Sequence, residues 1–289
     1  MANGILIVDK PAGWTSQDVA AKLRGVFHEK RVGHGGTLDP MATGVLPVFI
    51  GRATRAVEFF ESAEKEYVAG LRLGQITNTQ DTEGDILETR PVTVSRDEVE
   101  AMLTRFLGEQ DQLPPMFSAI KIGGKKLYEL ARQGKTVERT PRKIRILELE
   151  LLEGEGCDYT LRVRCSKGTY VRTLCHDIGE ALGCGGCMRS LRRTMAGIYG
   201  SAQAHTMEEI LAAEDPTSLL LPVESLFADY PAATLTAKQE RLCRNGNIIP
   251  DWSRGGTLWR IYGERGEFLM VGRHERGRLL TEKSFFEVN

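Results

Sequence analysis

Two alternating stretches constrain the fold more than any other feature of the chain. In Tyr67, Ala69, Leu71 and Leu73, and again in Tyr159, Leu161, Val163 and Cys165, every second residue is apolar. Successive side chains of a strand point to opposite faces, so each run describes a strand with one face in a core. Ile5-Leu6-Ile7-Val8 is continuously apolar and reads as a short buried strand running into the turn Asp9 to Gly13. Val45 to Ile50 reads as another strand, whose Pro47 suggests an edge or bulged position.

Helices interrupt these strands. Ser16 is placed to cap one whose Val19, Leu23 and Phe27 share a face. Ser95-Arg96-Asp97-Glu98 is a capping box, and Val99, Met102, Leu103 and Phe106 form the apolar stripe of the helix it opens. Ser166-Lys167-Gly168 can turn the chain into a third helix, marked by Leu174, Ile178 and Leu182 and ended by Gly183. Interleaved elements with frequent hairpin-like pairs predict an α/β chain of the α+β type, a mixed and largely antiparallel sheet flanked by helices. Beyond Met207 a Leu/Ala/Glu-rich connection leads to a Gly-rich tail. Its runs Leu258–Tyr262 and Phe268–Gly272 suggest a small β-barrel or sandwich of about sixty residues.

Six cysteines in 289 residues are too few for a disulfide scaffold. No apolar run approaches the ~18–20 residues that cross a bilayer, and the first residues lack a signal peptide's basic region, so a cytoplasmic protein is expected. The net charge of −1 would argue against a nucleic-acid partner if it were evenly spread. It is not. Glu61 to Gln112 holds twelve acids and five bases, a net −7, whereas Leu113 to Arg145 holds nine bases and two acids, a net +7. The tail from Pro231 carries ten bases and seven acids. A solvated basic loop and helix is the plainer reading of the +7 segment, and an insertion facing RNA is the sharper one.

Gly33 to Leu46 is the most unusual segment. Its glycines lack the Gly-Lys-Ser/Thr ending of a P-loop and the Rossmann pattern, which argues against nucleotide-cofactor binding. Asp39 could simply cap a turn. Pro40, however, biases Asp39 toward extended backbone and could hold its carboxylate outward on a stiff loop, suited to nucleophilic or general-base work at a sugar or base. No second acid lies in a comparable loop, which argues weakly against a two-carboxylate hydrolase. Cys184-Gly185-Gly186-Cys187, with Cys175 and His176, resembles a zinc cluster only weakly. Adjacent helical residues point about 100° apart, so reduced structural cysteines and no metal are expected. Arg172, at a strand-to-helix junction, gains meaning if it meets Asp39, since a bidentate guanidinium fixes the aim of a carboxylate.

Together these motifs resemble the TruB family, the bacterial tRNA pseudouridine-55 synthases, from Ile5 to the C-terminus. The blocks are Lys10-Pro11-Ala12-Gly13-Trp14-Thr15-Ser16, Gly35 to Leu46, Lys65-Glu66-Tyr67, Pro114 to Ala119, Lys167 to Arg172 and Leu191-Arg192-Arg193-Thr194. The resemblance implies a cofactor-independent isomerase that breaks the N-glycosidic bond of one T-loop uridine, turns the base and rejoins it through carbon. Asp39 matches the catalytic aspartate, Arg172 the active-site arginine and Tyr67 the tyrosine that stacks on the flipped base. Two routes suit Asp39, covalent addition to the ribose and removal of a ribose proton. Tyr170 and Leu191 match pocket-lining positions, and His34 the residue that enters the space vacated by the base. Lys10 and Pro11 match a motif that braces the loop, Lys10 being grouped with the substrate-binding residues.

The segment 113–145, with Lys121, Lys125, Lys126, Arg132 and Arg142, corresponds to an RNA-clamping insertion within a catalytic domain 1–230. The tail 231–289 resembles a PUA-type RNA-binding domain. The implied partner is the tRNA T-arm, with no membrane, no obligate protein partner and a monomeric state. A guide-RNA-dependent pseudouridine synthase and a tRNA-folding chaperone without chemistry are the alternatives. Two departures stand out: Gly35 replaces the threonine that many members carry after the histidine, and Cys187 extends the common Gly-Cys-Gly motif.

Overall fold

The computed structural model describes residues 2–286, so the last three positions of the expected 231–289 tail lie outside the described residues. The first half of the chain contributes strands β1 (Gly4–Lys10), β2 (Val32–His34), β3 (Thr43–Ile50), β4 (Lys65–Leu73), β5 (Gln75–Thr77), β6 (Ile86–Thr89) and β7 (Gly108–Gln112). Next come β8 (Lys121–Ile122), β9 (Lys125–Lys126), β10 (Arg142–Glu155), β11 (Asp158–Cys165), β12 (Gly186–Ala196), β13 (Tyr199–Gly200) and β14 (His205–Thr206). The tail holds β15 (Ala232–Thr234), β16 (Leu258–Tyr262), β17 (Phe268–Glu275) and β18 (Arg278–Ser284). The α-helices are α1 (Ser16–Phe27), α2 (Val57–Phe60), α3 (Arg96–Leu103), α4 (Leu127–Ala131), α5 (Val171–Ala181), α6 (Met207–Ala212) and α7 (Ala237–Arg244).

Ten strands form one sheet in the order β14-β1-β3-β12-β4-β11-β10-β7, with β2 added to β3 and β13 to β12. Only β1/β14 and β3/β12 pair in parallel, so the sheet is mixed and largely antiparallel. The alternating runs are β4 and β11, neighbours in register, with Tyr67 opposite Val163 and Ala69 opposite Leu161. Their apolar face and helices α1, α3 and α5 enclose the main core, which includes Leu23, Val99, Leu161 and Ile178. Leu6 and Val8 face this core, whereas Ile5 and Ile7 face a second one with Phe49, Phe60 and Phe227. Burial on both faces explains the unbroken apolar run. On the solvent side of β4, β11 and β10, ion pairs such as Arg72–Asp158 and Arg162–Glu150 replace apolar contacts.

Two local expectations change. Thr15, not Ser16, caps α1: its hydroxyl accepts from the Asp18 N–H while the Asp18 carboxylate accepts from the Thr15 N–H, a full capping box. Ser16 is buried and turns elsewhere. Pro47 lies in an interior strand, opposite Ile7 of β1. On its other side β3 meets β12 at Thr43 and Gly44 and β2 from Val48 onward. Pro47 falls in the gap between them, where its carbonyl accepts from the Gly35 N–H. A missing ladder donor is tolerated in such a gap.

The Ser95 capping box opens α3 as expected. Helix α5 packs closely on β12 because both carry glycine at the crossing: a Cβ on Gly179 would lie 2.2 Å from the Gly186 nitrogen. In the tail, β15-β16-β17-β18 form a separate four-stranded sheet, extended by a bridge between Ile249 and Leu279. It has its own apolar cluster around Trp252, Trp259 and Ile261.

Candidate active site

Asp39 sits on the loop between β2 and β3, and four neighbouring elements hold that loop. From the start of α1, the Ser16 hydroxyl accepts from the Leu38 N–H at 2.9 Å and donates to the Leu38 carbonyl at 3.2 Å. From the turn after β1, the Gly13 N–H donates to the Pro40 carbonyl. Lys10, at the end of β1, is fully buried, and its Nζ donates to the carbonyls of Trp14, Pro11 and Pro40 at 2.6, 2.8 and 3.2 Å. This corrects its grouping with substrate-binding residues: its three donors are spent on backbone, and it braces the loop. From β12, Arg193 donates to Val45 O and Gly36 O.

The fourth element is α5. Arg172 Nε contacts Asp39 Oδ2 at 3.0 Å, which brings together the two residues singled out from sequence. The contact is not bidentate, because the other nitrogens are engaged. Nη1 donates to Thr79 O at 3.1 Å and reaches Asp81 Oδ2 at 3.5 Å, and Nη2 donates to Phe117 O at 2.8 Å. Arg172 and Asp81 are each 8% exposed, whereas Asp39 is 38% exposed. The arrangement leaves one carboxylate open to a substrate while a buried guanidinium fixes its direction.

The turn that receives Arg172 is tied down in turn. Asp81 Oδ1 accepts from the Thr79 hydroxyl and the Glu83 N–H, and Gln80 O accepts from the Met188 N–H of β12. Gln112 clamps Tyr170 by accepting from its N–H at 2.8 Å and donating to its carbonyl at 3.1 Å. Asp81 and Gln112 escaped the sequence reading. Asp81 was one acid among twelve in the −7 segment, and its partner lies 91 residues away. Arg193 was quoted in the Leu191–Thr194 motif but given no role, although alternation in β12 puts it on the same buried side as Leu191, with Arg192 between them turned out to pair with Asp9.

Tyr67 stands half-buried on β4, opposite Arg193 of β12. Burial pushes its phenol up, and the adjacent Arg193 charge pulls against that shift. Leu191 is buried in the main core on β12, and Tyr170 is half-buried at the start of α5. His34 Nε2 lies 3.1 Å from Gln17 Nε2 of α1. Burial, and next the Arg193 charge, push its imidazole down. Gly35 is required for space: a Cβ there would fall 2.5 Å from the Phe60 ring, which occupies the place a threonine side chain would take.

Lys121 and Lys125 are exposed on the β8–β9 hairpin, which turns at Gly123-Gly124. Lys126 and Arg132 flank the Tyr128 ring, at 5.3 and 5.5 Å from its centroid. Arg142 lies apart from this group, on β10 opposite Gln112. Cys175, Cys184 and Cys187 are buried around the α5–β12 contact, and burial pushes the Cys187 thiol up to about 11. Among the described residues no three His, Cys, Asp or Glu side chains are grouped to hold a metal ion. No helix among them is long and apolar enough to cross a membrane.

Buried positive charge surrounds the loop. Desolvation pushes Lys10 down to about 8 against the opposing pull of Asp39, and pushes Lys65 down to about 8 with repulsion from Arg193 added. Unfolded, Lys65 returns to its ordinary 10.5, so between about pH 8 and 10.5 the unfolded chain binds more protons than the folded one. Stability from this group therefore rises with pH across that window, and its burial is most costly below pH 8. Lys65→Met removes that cost. The stability of Lys65→Met relative to the unsubstituted protein, measured by urea unfolding, is expected to be more favourable at pH 7 than at pH 10.

Comparison with known proteins fits this geometry. Residues 24–171 match the model of the TruB family pseudouridylate synthase N-terminal domain, and residues 172–228 that of the tRNA pseudouridylate synthase B C-terminal domain. The chain is 43% identical to tRNA pseudouridine synthase B of Pseudomonas putida, over 97% of this chain and 95% of that protein. It is 47% identical to the protein of the same name from Alkaliphilus oremlandii, over 86% and 83%. Among solved structures, a Cbf5-Nop10-Gar1 complex aligns with a TM-score of 0.73 at 29% identity, covering 99% of this chain and 86% of that one. An H/ACA RNP bound to a substrate RNA containing 2′-deoxyuridine aligns with a TM-score of 0.72 at 26% identity, covering 100% and 86%.

Proposed function

The chain belongs to the TruB family of pseudouridylate synthases, and from that premise we propose that it isomerises the T-loop uridine of tRNA to pseudouridine with Asp39, Tyr67 and Arg172 as its catalytic residues. The observation that carries this reading is the pairing of the half-open Asp39 carboxylate with the buried Arg172 guanidinium, on a loop held from four sides.

A stacked uridine cannot present its ribose and base to a carboxylate on a recessed loop, so the nucleotide is flipped out of the RNA. The Tyr67 ring offers the stacking face that replaces the lost neighbours, and Tyr170 and Leu191 line the pocket. Asp39 acts at the ribose as the C1′–N1 bond breaks and the electron pair leaves on N1. The base turns, C5 bonds to C1′, the C5 proton departs and N1 takes up a proton. Atoms balance without an oxidant, reductant or added group, so the chemistry calls for orientation and charge placement. His34, at the mouth of the loop, is suited to fill the space in the T-loop that the flipped base leaves.

The exposed cations of 113–145 suit phosphate contacts, and Phe117, at the start of that segment, is bonded to Arg172. The insertion that would engage RNA and the carboxylate at the loop thus share one guanidinium, linked by two contacts. We assign residues 1–230 to catalysis and 231–289 to a PUA-like second RNA-binding surface, in a monomer acting in the cytoplasm without guide RNA or protein partner.

The test is incubation of the purified protein with an unmodified tRNA transcript and no additives, followed by pseudouridine mapping. One pseudouridine in the T-loop is expected, absent with Asp39→Asn, while that variant's tRNA affinity stays within about twofold because the substitution removes no phosphate contact. Turnover by Asp39→Asn would refute the assignment. Replacing Lys121, Lys125 and Arg132 with glutamine is expected to flatten the slope of log binding constant against log salt by about 2–3, at ~0.7–0.9 per lost phosphate contact. An unchanged slope would mean a solvated basic face.

A further inference from the structure

Arg193 is the bulkiest of the fully buried side chains, and backbone carbonyls hold it where a carboxylate would ordinarily be found. Nε donates to Val45 O at 2.6 Å and Nη2 to Gly36 O at 3.2 Å. These two carbonyls stand on either side of Asp39, Gly36 in its loop and Val45 near the start of β3. The main chain of Arg193 lies in register with Gly44 of β3 on one side and with Tyr67 of β4 on the other. The approach to β3 is so close that a Cβ on Gly44 would fall 2.2 Å from the Arg193 carbonyl oxygen. The guanidinium charge also acts on the Tyr67 phenol, holding back the upward push of burial.

The consequence is geometric. Arg172 fixes the Asp39 carboxylate from α5, but nothing in that contact sets the distance between Asp39 and the ring that receives the base. Among the described residues only β12 borders both the strand leaving the loop and the strand bearing Tyr67. Its buried arginine bonds the chain on both sides of Asp39, while its main chain is the register partner of Tyr67. An uncharged side chain of similar volume would fill the space with less desolvation, yet could not make these contacts at once.

We propose that Arg193 is a positioning residue for the isomerisation, tying the chain on both sides of Asp39 and setting the Tyr67 ring at a fixed distance from the Asp39 carboxylate. The proposal rests on the assignment of Asp39 and Tyr67 to the reaction. Lysine at 193 keeps the charge but has no fork to span the two carbonyls. Glutamine keeps part of the shape and no charge.

The experiment compares single-turnover pseudouridine formation by the unsubstituted protein, Arg193→Lys and Arg193→Gln on unmodified tRNA, with melting temperature and tRNA binding measured on the same samples. Arg193→Lys is expected to bind tRNA within about threefold of the parent and to react about 100-fold more slowly per folded molecule, the scale of loss when a reacting group is misplaced by about 1 Å. In Arg193→Gln the ultraviolet titration of Tyr67, isolated by difference from the matching Tyr67→Phe protein, is expected to move to higher pH. A folded variant that reacts within about threefold of the parent, or a rate that falls only in step with the folded fraction, would overturn the proposal and leave Arg193 a structural residue. An inactive parent protein would instead overturn the functional reading on which the proposal rests.

Discussion

The buried guanidinium of Arg172 is the constraint around which the site is built. A charge taken out of water costs several kcal/mol unless its hydrogen-bonding groups are met. Arg172 meets that demand in three directions, with the Asp39 carboxylate, the turn at Thr79 and Asp81, and the Phe117 carbonyl. Each partner belongs to a different segment: the loop between β2 and β3, the β5–β6 hairpin and the beginning of the basic insertion. The arginine can be satisfied only when all three are in place, so the aim of the Asp39 carboxylate depends on contacts far from it in sequence.

Charge balance follows the same logic on a larger scale. Lys10, Lys65 and Arg193 are buried around the loop with mostly backbone carbonyls for partners. The site interior is therefore more positive than a chain of net charge −1 would suggest. That surplus suits a polyanionic substrate, and a reaction in which negative charge gathers on the detached base. The acidic and basic runs that cancel in the total meet where β7 pairs with β10, Lys143 facing Asp111, and they contribute differently to the site. The −7 run supplies Asp81 to Arg172, whereas the +7 run supplies exposed Lys121 and Lys125 on the β8–β9 hairpin.

What could be read from the chain was what is local. Alternation gave β4 and β11, and the Ser95 and Gly183 signals bounded α3 and α5, because strand facing and helix capping depend on residues a few positions apart. Asp39 and Arg172 stood out through their motifs, and they do meet. The second layer was hidden where a residue breaks its usual habit. Lysines and arginines are seldom buried, so Lys10, though matched to a bracing motif, was grouped with the substrate-binding residues, and Arg193, though part of a motif, was given no role. Ser16 looked like a cap because its true partner, Leu38, lies 22 residues away. Pro47 looked like an edge residue because the gap between β12 and β2 exists only in the assembled sheet.

The claim that Arg172 acts as one unit with its two carboxylates is tested most directly by a double-mutant cycle. Single-turnover rates of pseudouridine formation would be measured for Arg172→Lys, Asp81→Asn and the double variant. If Asp81 works only through Arg172, each single substitution slows the reaction and the double variant is no slower than the worse single one, within about threefold. Losses that multiply would contradict the account and assign Asp81 a separate role.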